Sequence, residues 1–280
     1  MGSVLTGSNV LGPSIEFVDA SFGSIGRREA SLEHFTSFDG LDLAYLDVGE
    51  GAPVILLHGL AADHFSNWVA TGVVDALVAS QRRVLAPDAR GHGASAKPHD
   101  PDAYANDAMA RDVATLMDHV SLERYDVVGY SMGSIVAGRL APRDARVRSL
   151  VLGGVGGEWG GEQRPLDTVP MVEALETENP NDIDSPLAAA IRRFADSTGA
   201  DRFALAANQR SRQGETTDVG AISVPTLVLV GDTDQLAGSS EALAQRIPGA
   251  TFRTLRGNHL SAVRDPQFSE SIVAFVNSMS

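Results

Sequence analysis

Ser131 is the side chain with the clearest chemical context. The apolar pair Val127 and Val128 runs into Gly129-Tyr130-Ser131-Met132-Gly133, and small and aliphatic residues follow as far as Leu140. This order predicts a buried strand, a very tight turn and a helix. Glycines at 129 and 133 leave room where a larger side chain would crowd the turn, so Ser131 is lifted at the strand's end over the start of a helix. A serine hydroxyl is a weak nucleophile until a neighbouring base takes its proton. The Met132 N–H, first in the helix, can face an oxygen that becomes negative during attack. The plain alternative, a Gly/Ser loop without chemistry, fits less well with a strand before the turn and a helix after it.

The base that such a serine needs is His259. Of the seven histidines it alone follows the last predicted strand, in the loop Gly257-Asn258-His259 before the final helix. Carboxylates that could orient it come from Gly231-Asp232-Thr233-Asp234, which offers two aspartates on one turn. No histidine pair has zinc-type spacing with a third ligand. The chain has no cysteine, which excludes disulfides, thiolate zinc sites and a cysteine nucleophile together. No metal and no cofactor is expected.

The elements that must position these groups alternate. Strands are predicted over 33–37 and 41–48, with Phe38-Asp39-Gly40 as a hairpin turn. The runs 53–57, 83–86, 147–152 and 225–230 read as strands buried on both faces. With the Val127 strand and one near 251–255, eight strands result. Helices are expected over 68–79, 104–120, 240–246 and from about 267 to the end; Met109, Val113, Leu116, Met117 and Val120 form one stripe of the second. Between about 158 and 217 no strand run occurs. Three helices are expected there, over 170–177, 186–196 and 202–212, with Ser185-Pro186 and Asp201 as start signals. This is an α/β fold, with ligands at the carboxyl ends of the strands. The core domain comprises 1–157 and 218–280, and 158–217 is a small helical insertion, a lid. Residues 1–30 read as a surface arm.

With Ser131, Asp234 and His259 in view, the chain resembles the α/β-hydrolase superfamily from about Glu33 onward. The likeness rests on the order serine, acid, histidine, on His58-Gly59 after the third strand, on Asp88-x-Arg90-Gly91-His92-Gly93-x-Ser95 after the fourth, and on Gly231-x-x-Asp234 after the seventh. The resemblance implies a mostly parallel eight-stranded sheet flanked by helices, with the lid after the sixth strand. It selects Asp234 over Asp232, leaving Asp232 to shape its turn, offers Glu158 after the sixth strand as a substitute acid, and supplies Leu60 N–H as the second oxyanion donor beside Met132 N–H. His-Gly-Leu stands here in place of the glycine-rich HGGG form. His92, Asp88 and Arg90 are expected to fix their loop and His58 to support the oxyanion loop. His34, His64, His99 and His119 read as ordinary surface or loop residues.

The resemblance further implies a serine hydrolase, cleaving esters of small to medium apolar substrates through an acyl-Ser131 intermediate. A lactonase, a carbon–carbon bond hydrolase, a cofactor-free haloperoxidase or perhydrolase, and a ligand receptor with a slow triad share the motifs. Epoxide hydrolases and haloalkane dehalogenases carry aspartate where this chain has Ser131. The expected pocket wall includes Phe65, Trp68, Trp159, Phe194, Phe203, Leu236 and Leu260. Within 280 residues, 43% hydrophobic, a large core can be buried. A formal charge of −14, from 36 acidic and 22 basic side chains, argues against a nucleic-acid or anionic-membrane partner. No apolar run is long enough to span a bilayer and no secretory signal is visible, so the expected location is cytoplasmic and the expected partner a small-molecule ester or lactone.

Overall fold

In the computed structural model, residues 32–156, 168–212 and 218–279 are described. Eight strands form one sheet: β1 (Glu33–Thr36), β2 (Asp42–Val48), β3 (Ala52–Leu57), β4 (Arg82–Pro87), β5 (Tyr125–Tyr130), β6 (Val147–Gly153), β7 (Thr226–Gly231) and β8 (Thr251–Leu255). Their spatial order is β1-β2-β4-β3-β5-β6-β7-β8. The β1–β2 and β2–β4 pairs are antiparallel and the others parallel. The expected hairpin closes where Ser37 N–H donates to Leu41 O at 2.8 Å. Register brings the functional strand ends into line: Leu57 lies opposite Gly129, Tyr130 opposite Gly153, and Gly231 opposite Leu255.

The apolar strands are buried on both faces because adjacent side chains point to opposite sides of a sheet. Ile55, Val127 and Leu150 pack on one side with Leu116 and Met117 of α2 (Ala108–His119), Leu140 of α3 (Met132–Leu140) and Leu243 of α7 (Ser240–Arg246). Their neighbours Val54, Val128 and Val151 pack on the other side with Leu77 of α1 (Val73–Ala79) and Phe268, Ile272 and Val276 of α8 (Pro266–Ser278). Each such large apolar side chain contributes ~1.5–3 kcal/mol by leaving water.

Between β6 and β7 stand three helices, α4 (Val169–Glu176), α5 (Pro186–Thr198) and α6 (Arg202–Ser211). Two of their start signals operate as read: Ser185 Oγ accepts from Ala188 N–H at 3.3 Å, and Asp201 Oδ1 from the Phe203 and Ala204 amides at 3.1 Å each. Val172, Leu175, Ala195, Leu205 and Ala206 give the three helices a small core, which includes Ala61 from the loop after β3. Thr198 Oγ donates to Ala61 O at 2.9 Å, a second link between this layer and that loop.

One predicted helix is corrected. The span 68–79 is not continuous: a π-turn over Phe65–Val69 is separated from α1 by Gly72 at φ 80°. Periodicity could not reveal the break, because apolar residues on both sides of Gly72 enter the same core. No helix among the described residues is long and apolar enough to cross a membrane.

Candidate active site

Ser131 stands between β5 and α3 with φ 51° and ψ −114°, a left-handed backbone that costs a non-glycine residue about 1–3 kcal/mol. The turn is held from both sides. Ser131 N–H donates to Gly153 O at 2.8 Å, and Ser131 O accepts from Ser134 N–H at 3.0 Å. A Cβ at Gly133 would meet Leu57 O at 1.9 Å and one at Gly129 would meet Gly133 O at 2.4 Å, so neither position can carry a side chain. Spacing of the two glycines therefore brings three backbones together under the hydroxyl.

His259 reaches that hydroxyl from the loop after β8. Its Nε2 lies 2.9 Å from Ser131 Oγ, and its Nδ1 lies 2.9 Å from Asp234 Oδ2. The other oxygen of Asp234, Oδ1, accepts from the Leu236 and Ala237 amides at 3.0 Å each, which fixes the carboxylate's orientation. With Nδ1–H donating to the carboxylate, Nε2 presents a lone pair and can take the serine proton. Three residues far apart in sequence thus meet at the rim of the sheet. Asp232 does not join them; its Oδ1 accepts from Gly257 N–H at 2.9 Å and shapes the histidine loop. Glu158 lies outside the described residues.

The loop after β3 passes close to the serine, since a Cβ at Gly59 would lie 3.5 Å from Ser131 Cβ. Two buried side chains brace it. His58 Nδ1 donates to Gly59 O at 2.8 Å while its Nε2 accepts from Ala89 N–H at 3.0 Å, so the ring is neutral, and burial holds its pKa down. Asn67 Oδ1 accepts from Gly59 N–H at 2.9 Å. The Leu60 and Met132 side chains pack in one cluster with Ala207 of α6, joining the helical layer to both residues whose amides were expected as oxyanion donors. Neither amide donates to a protein acceptor among the described residues.

Beside this site lies a second histidine and carboxylate pair, its carboxylate buried. Asp88 Oδ1 accepts from His64 N–H at 2.8 Å and sits 2.9 Å from His64 Nδ1, and Asp88 Oδ2 accepts from Ala94 N–H at 2.8 Å. These hydrogen bonds and the nearby histidines outweigh desolvation and hold the Asp88 carboxyl well below the usual range; the carboxylate in turn raises the His64 pKa. His64 is thus more than the ordinary loop residue expected. His92 is fully packed with Nδ1 on Arg90 O at 3.1 Å, and desolvation pushes its pKa down to about 3. Arg90 is buried and pairs with Asp112 and Asp39, in keeping with a loop-fixing role.

Residues 52–169 match a family model described as alpha/beta hydrolase fold. The chain has the α/β-hydrolase fold. It is 28% identical to a non-heme haloperoxidase of Rhodococcus erythropolis, over 87% of this chain and 98% of that one. It is 26% identical to 3-oxoadipate enol-lactonase 2 of Acinetobacter baylyi, over 68% and 77% respectively. Among solved structures, a thermophilic esterase from Thermogutta terrifontis is 28% identical, with a TM-score of 0.72 over 89% of this chain and 99% of that one.

On this α/β-hydrolase fold the expected pocket wall is only partly assembled. Trp68 is withdrawn from it: the π-turn sends the indole into the core against Phe268, rings 6.4 Å apart, and leaves it wholly buried. Phe194 packs at the edge of the core of the helical layer. Phe203 is exposed beside His99, rings 5.8 Å apart, on the α6 start that His99 also holds through Asp201. Phe65, Leu236 and Leu260 remain exposed, the last two on the Asp234 and His259 turns. Trp159 lies outside the described residues. Sequence reading missed Asn67 and His64; neither stands in a pattern that separates it from other polar loop residues.

Proposed function

We propose that this chain is a serine hydrolase that cleaves carboxylic esters, with Ser131 as nucleophile, His259 as general base and acid, and Asp234 as the group that orients the imidazole. The observation that carries this reading is the hydrogen-bonded line from Asp234 through His259 to Ser131, at 2.9 Å in both links. Attack of Ser131 Oγ on the ester carbonyl passes its proton to His259 Nε2 and leaves a tetrahedral oxyanion. The Leu60 and Met132 amides stabilise that charge, each worth about 3 kcal/mol at the transition state. Collapse expels the alcohol, which takes the proton from His259. Water then enters by the same route, its proton going to His259 and its oxygen to the acyl carbon, and Ser131 is released with the carboxylic acid.

The insertion 158–217 serves as a cap in the same reading; the packing of Ala207 of α6 in one cluster with Leu60 and Met132 supports it. The likeness to an esterase and to an enol-lactonase supports this reading. A lactone is an internal ester, so the same steps would open it without releasing a second fragment. A small, apolar ester or lactone is the substrate class assigned.

The test is turnover of p-nitrophenyl acetate and butyrate, a lactone and a vinylogous diketone by wild type and Ser131→Ala. Ester and lactone turnover should vanish in the variant, and a fluorophosphonate should label Ser131 in wild type alone. An Ser131→Ala variant with wild-type kcat would overturn the assignment. Cleavage confined to the diketone would replace ester cleavage by carbon–carbon bond hydrolysis.

A further inference from the structure

The loop that carries His259 is tied at each of its early residues. Arg256 N–H donates to Asp265 Oδ2, Gly257 N–H to Asp232 Oδ1, and Asn258 N–H to Ser261 Oγ, each at 2.9 Å. At His259 the backbone tie comes from a different part of the chain: Tyr130, the residue before the nucleophile, donates its hydroxyl to His259 O at 2.7 Å. The phenol ring also flanks the imidazole, with centroids 5.5 Å apart at 42°. Tyr130 is itself immobilised, buried to 5% exposure and edge-on to Phe268 at 5.7 Å. Gly154 completes the slot. It has φ 63°, and a Cβ there would stand 2.9 Å from the Tyr130 ring and 3.2 Å from His259 Cε1.

We infer that Tyr130 is a positioning residue for the hydrolytic reaction, fixing the His259 backbone relative to Ser131 through its hydroxyl and one face of the imidazole through its ring. This rests on the reading of Ser131 and His259 given above. The physical basis is that Tyr130 and Ser131 are consecutive. Any displacement of the elbow carries the tether with it, so the distance from imidazole to hydroxyl is conserved while both elements move. A proton transfer that depends on hydrogen-bond reach is sensitive to such a constraint. Burial and the nearby Asp234 charge raise the Tyr130 pKa, which keeps the hydroxyl protonated as a donor throughout the neutral range.

Tyr130→Phe removes the hydroxyl and keeps the ring; Tyr130→Leu removes both. Ester turnover, the rate of Ser131 labelling by a fluorophosphonate, thermal unfolding and the low-field proton resonance of the His259–Asp234 hydrogen bond are measured for wild type and both variants. Tyr130→Phe should lower kcat and the labelling rate by the same factor, about 3- to 10-fold, the size one neutral hydrogen bond carries. KM should stay unchanged, and the low-field resonance should broaden as the imidazole exchanges with water faster. Tyr130→Leu should go further in both rates. If wild type turns over and Tyr130→Phe matches it in kcat, labelling rate and resonance, the inference is wrong while the hydrolase reading stands. Should Tyr130→Phe lose only thermal stability, the residue is structural and the inference is equally wrong. A wild type with no Ser131-dependent turnover would instead remove the reading beneath it.

Discussion

Two histidine and aspartate pairs sit at the same rim of the sheet and are nearly equal by local measures. In each, Nδ1 lies 2.9 Å from a carboxylate oxygen. The histidine side chains are 16% and 17% exposed and both carboxylates are fully buried, so accessibility does not separate them. What differs is the second nitrogen. His259 Nε2 meets Ser131 Oγ, whereas no described residue meets His64 Nε2. Asp88 also spends Oδ1 on the His64 backbone amide, fastening the chain as well as the ring. Asp234 takes its backbone amides from its own turn and leaves the His259 backbone to Tyr130. A buried carboxylate beside an imidazole is therefore a building element with two uses. Its role is decided by what faces the far nitrogen.

The contrast breaks most sharply under the isosteric change of aspartate to asparagine in each pair. Asp234→Asn should lower kcat by about 10²–10⁴-fold with KM little moved, because an amide can hold the imidazole in the wrong tautomer. Asp88→Asn should leave kcat of the folded protein within about tenfold and act on stability. It removes one partner of a buried pair and confronts the Ala94 N–H with a second donor, at a cost of ~3–5 kcal/mol. Steady-state kinetics and urea unfolding on the two variants check this. Equal kinetic losses would show that the two pairs are not functionally distinct.

Much of this was legible in the sequence because it depends on order along the chain. The elbow at Ser131, the acid at 234 and the histidine at 259 each follow an apolar strand run, and parallel register brings such ends together. Asp234 and Asp232 were separable only through family resemblance, since both stand on one polar turn after β7; their different hydrogen bonds are a matter of three dimensions. The His64–Asp88 pair left no trace for the same reason. Its members are 24 residues apart, in two loops without periodicity. Trp68 was misread because an aromatic residue in the segment after β3 has the same spacing whether it faces a pocket or the core. The break at Gly72 and the π-turn before it decide that direction.

The pH dependence of stability sharpens the comparison with a smaller effect. His92 and His58 are buried as neutral rings, with the His92 pKa pushed to about 3. A group whose folded pKa is depressed binds its proton first in the unfolded chain. Stability is therefore intact above the unfolded histidine value and falls as pH drops below ~6.5, for His92 by about 1.4 kcal/mol per pH unit. Urea midpoints measured from pH 7.5 down to 4.5 should show this decline, and His92→Asn should reduce its slope by about one proton. An unchanged slope would mean that His92 is protonated in the folded state.

The smallest expected effect tests His64 itself. Its pKa is raised by the Asp88 carboxylate, so the sign is opposite to that of His92. The charged pair's contribution is full below the unfolded histidine value and is lost as pH climbs through the higher folded one. His64→Gln keeps a side-chain N–H for Asp88 but can never carry the charge. It should cost about 1 kcal/mol of unfolding free energy near pH 5.5 and less near pH 8.5, with kcat on the ester preserved within about twofold at both. In the proposed mechanism the same substitution at His259 would leave Ser131 without a base, so the two glutamine variants separate clamp from base at a single type of side chain. A His64→Gln protein that lost stability equally at both pH values would show that His64 holds its loop as a neutral donor, and that the two pairs differ only in what faces the far nitrogen.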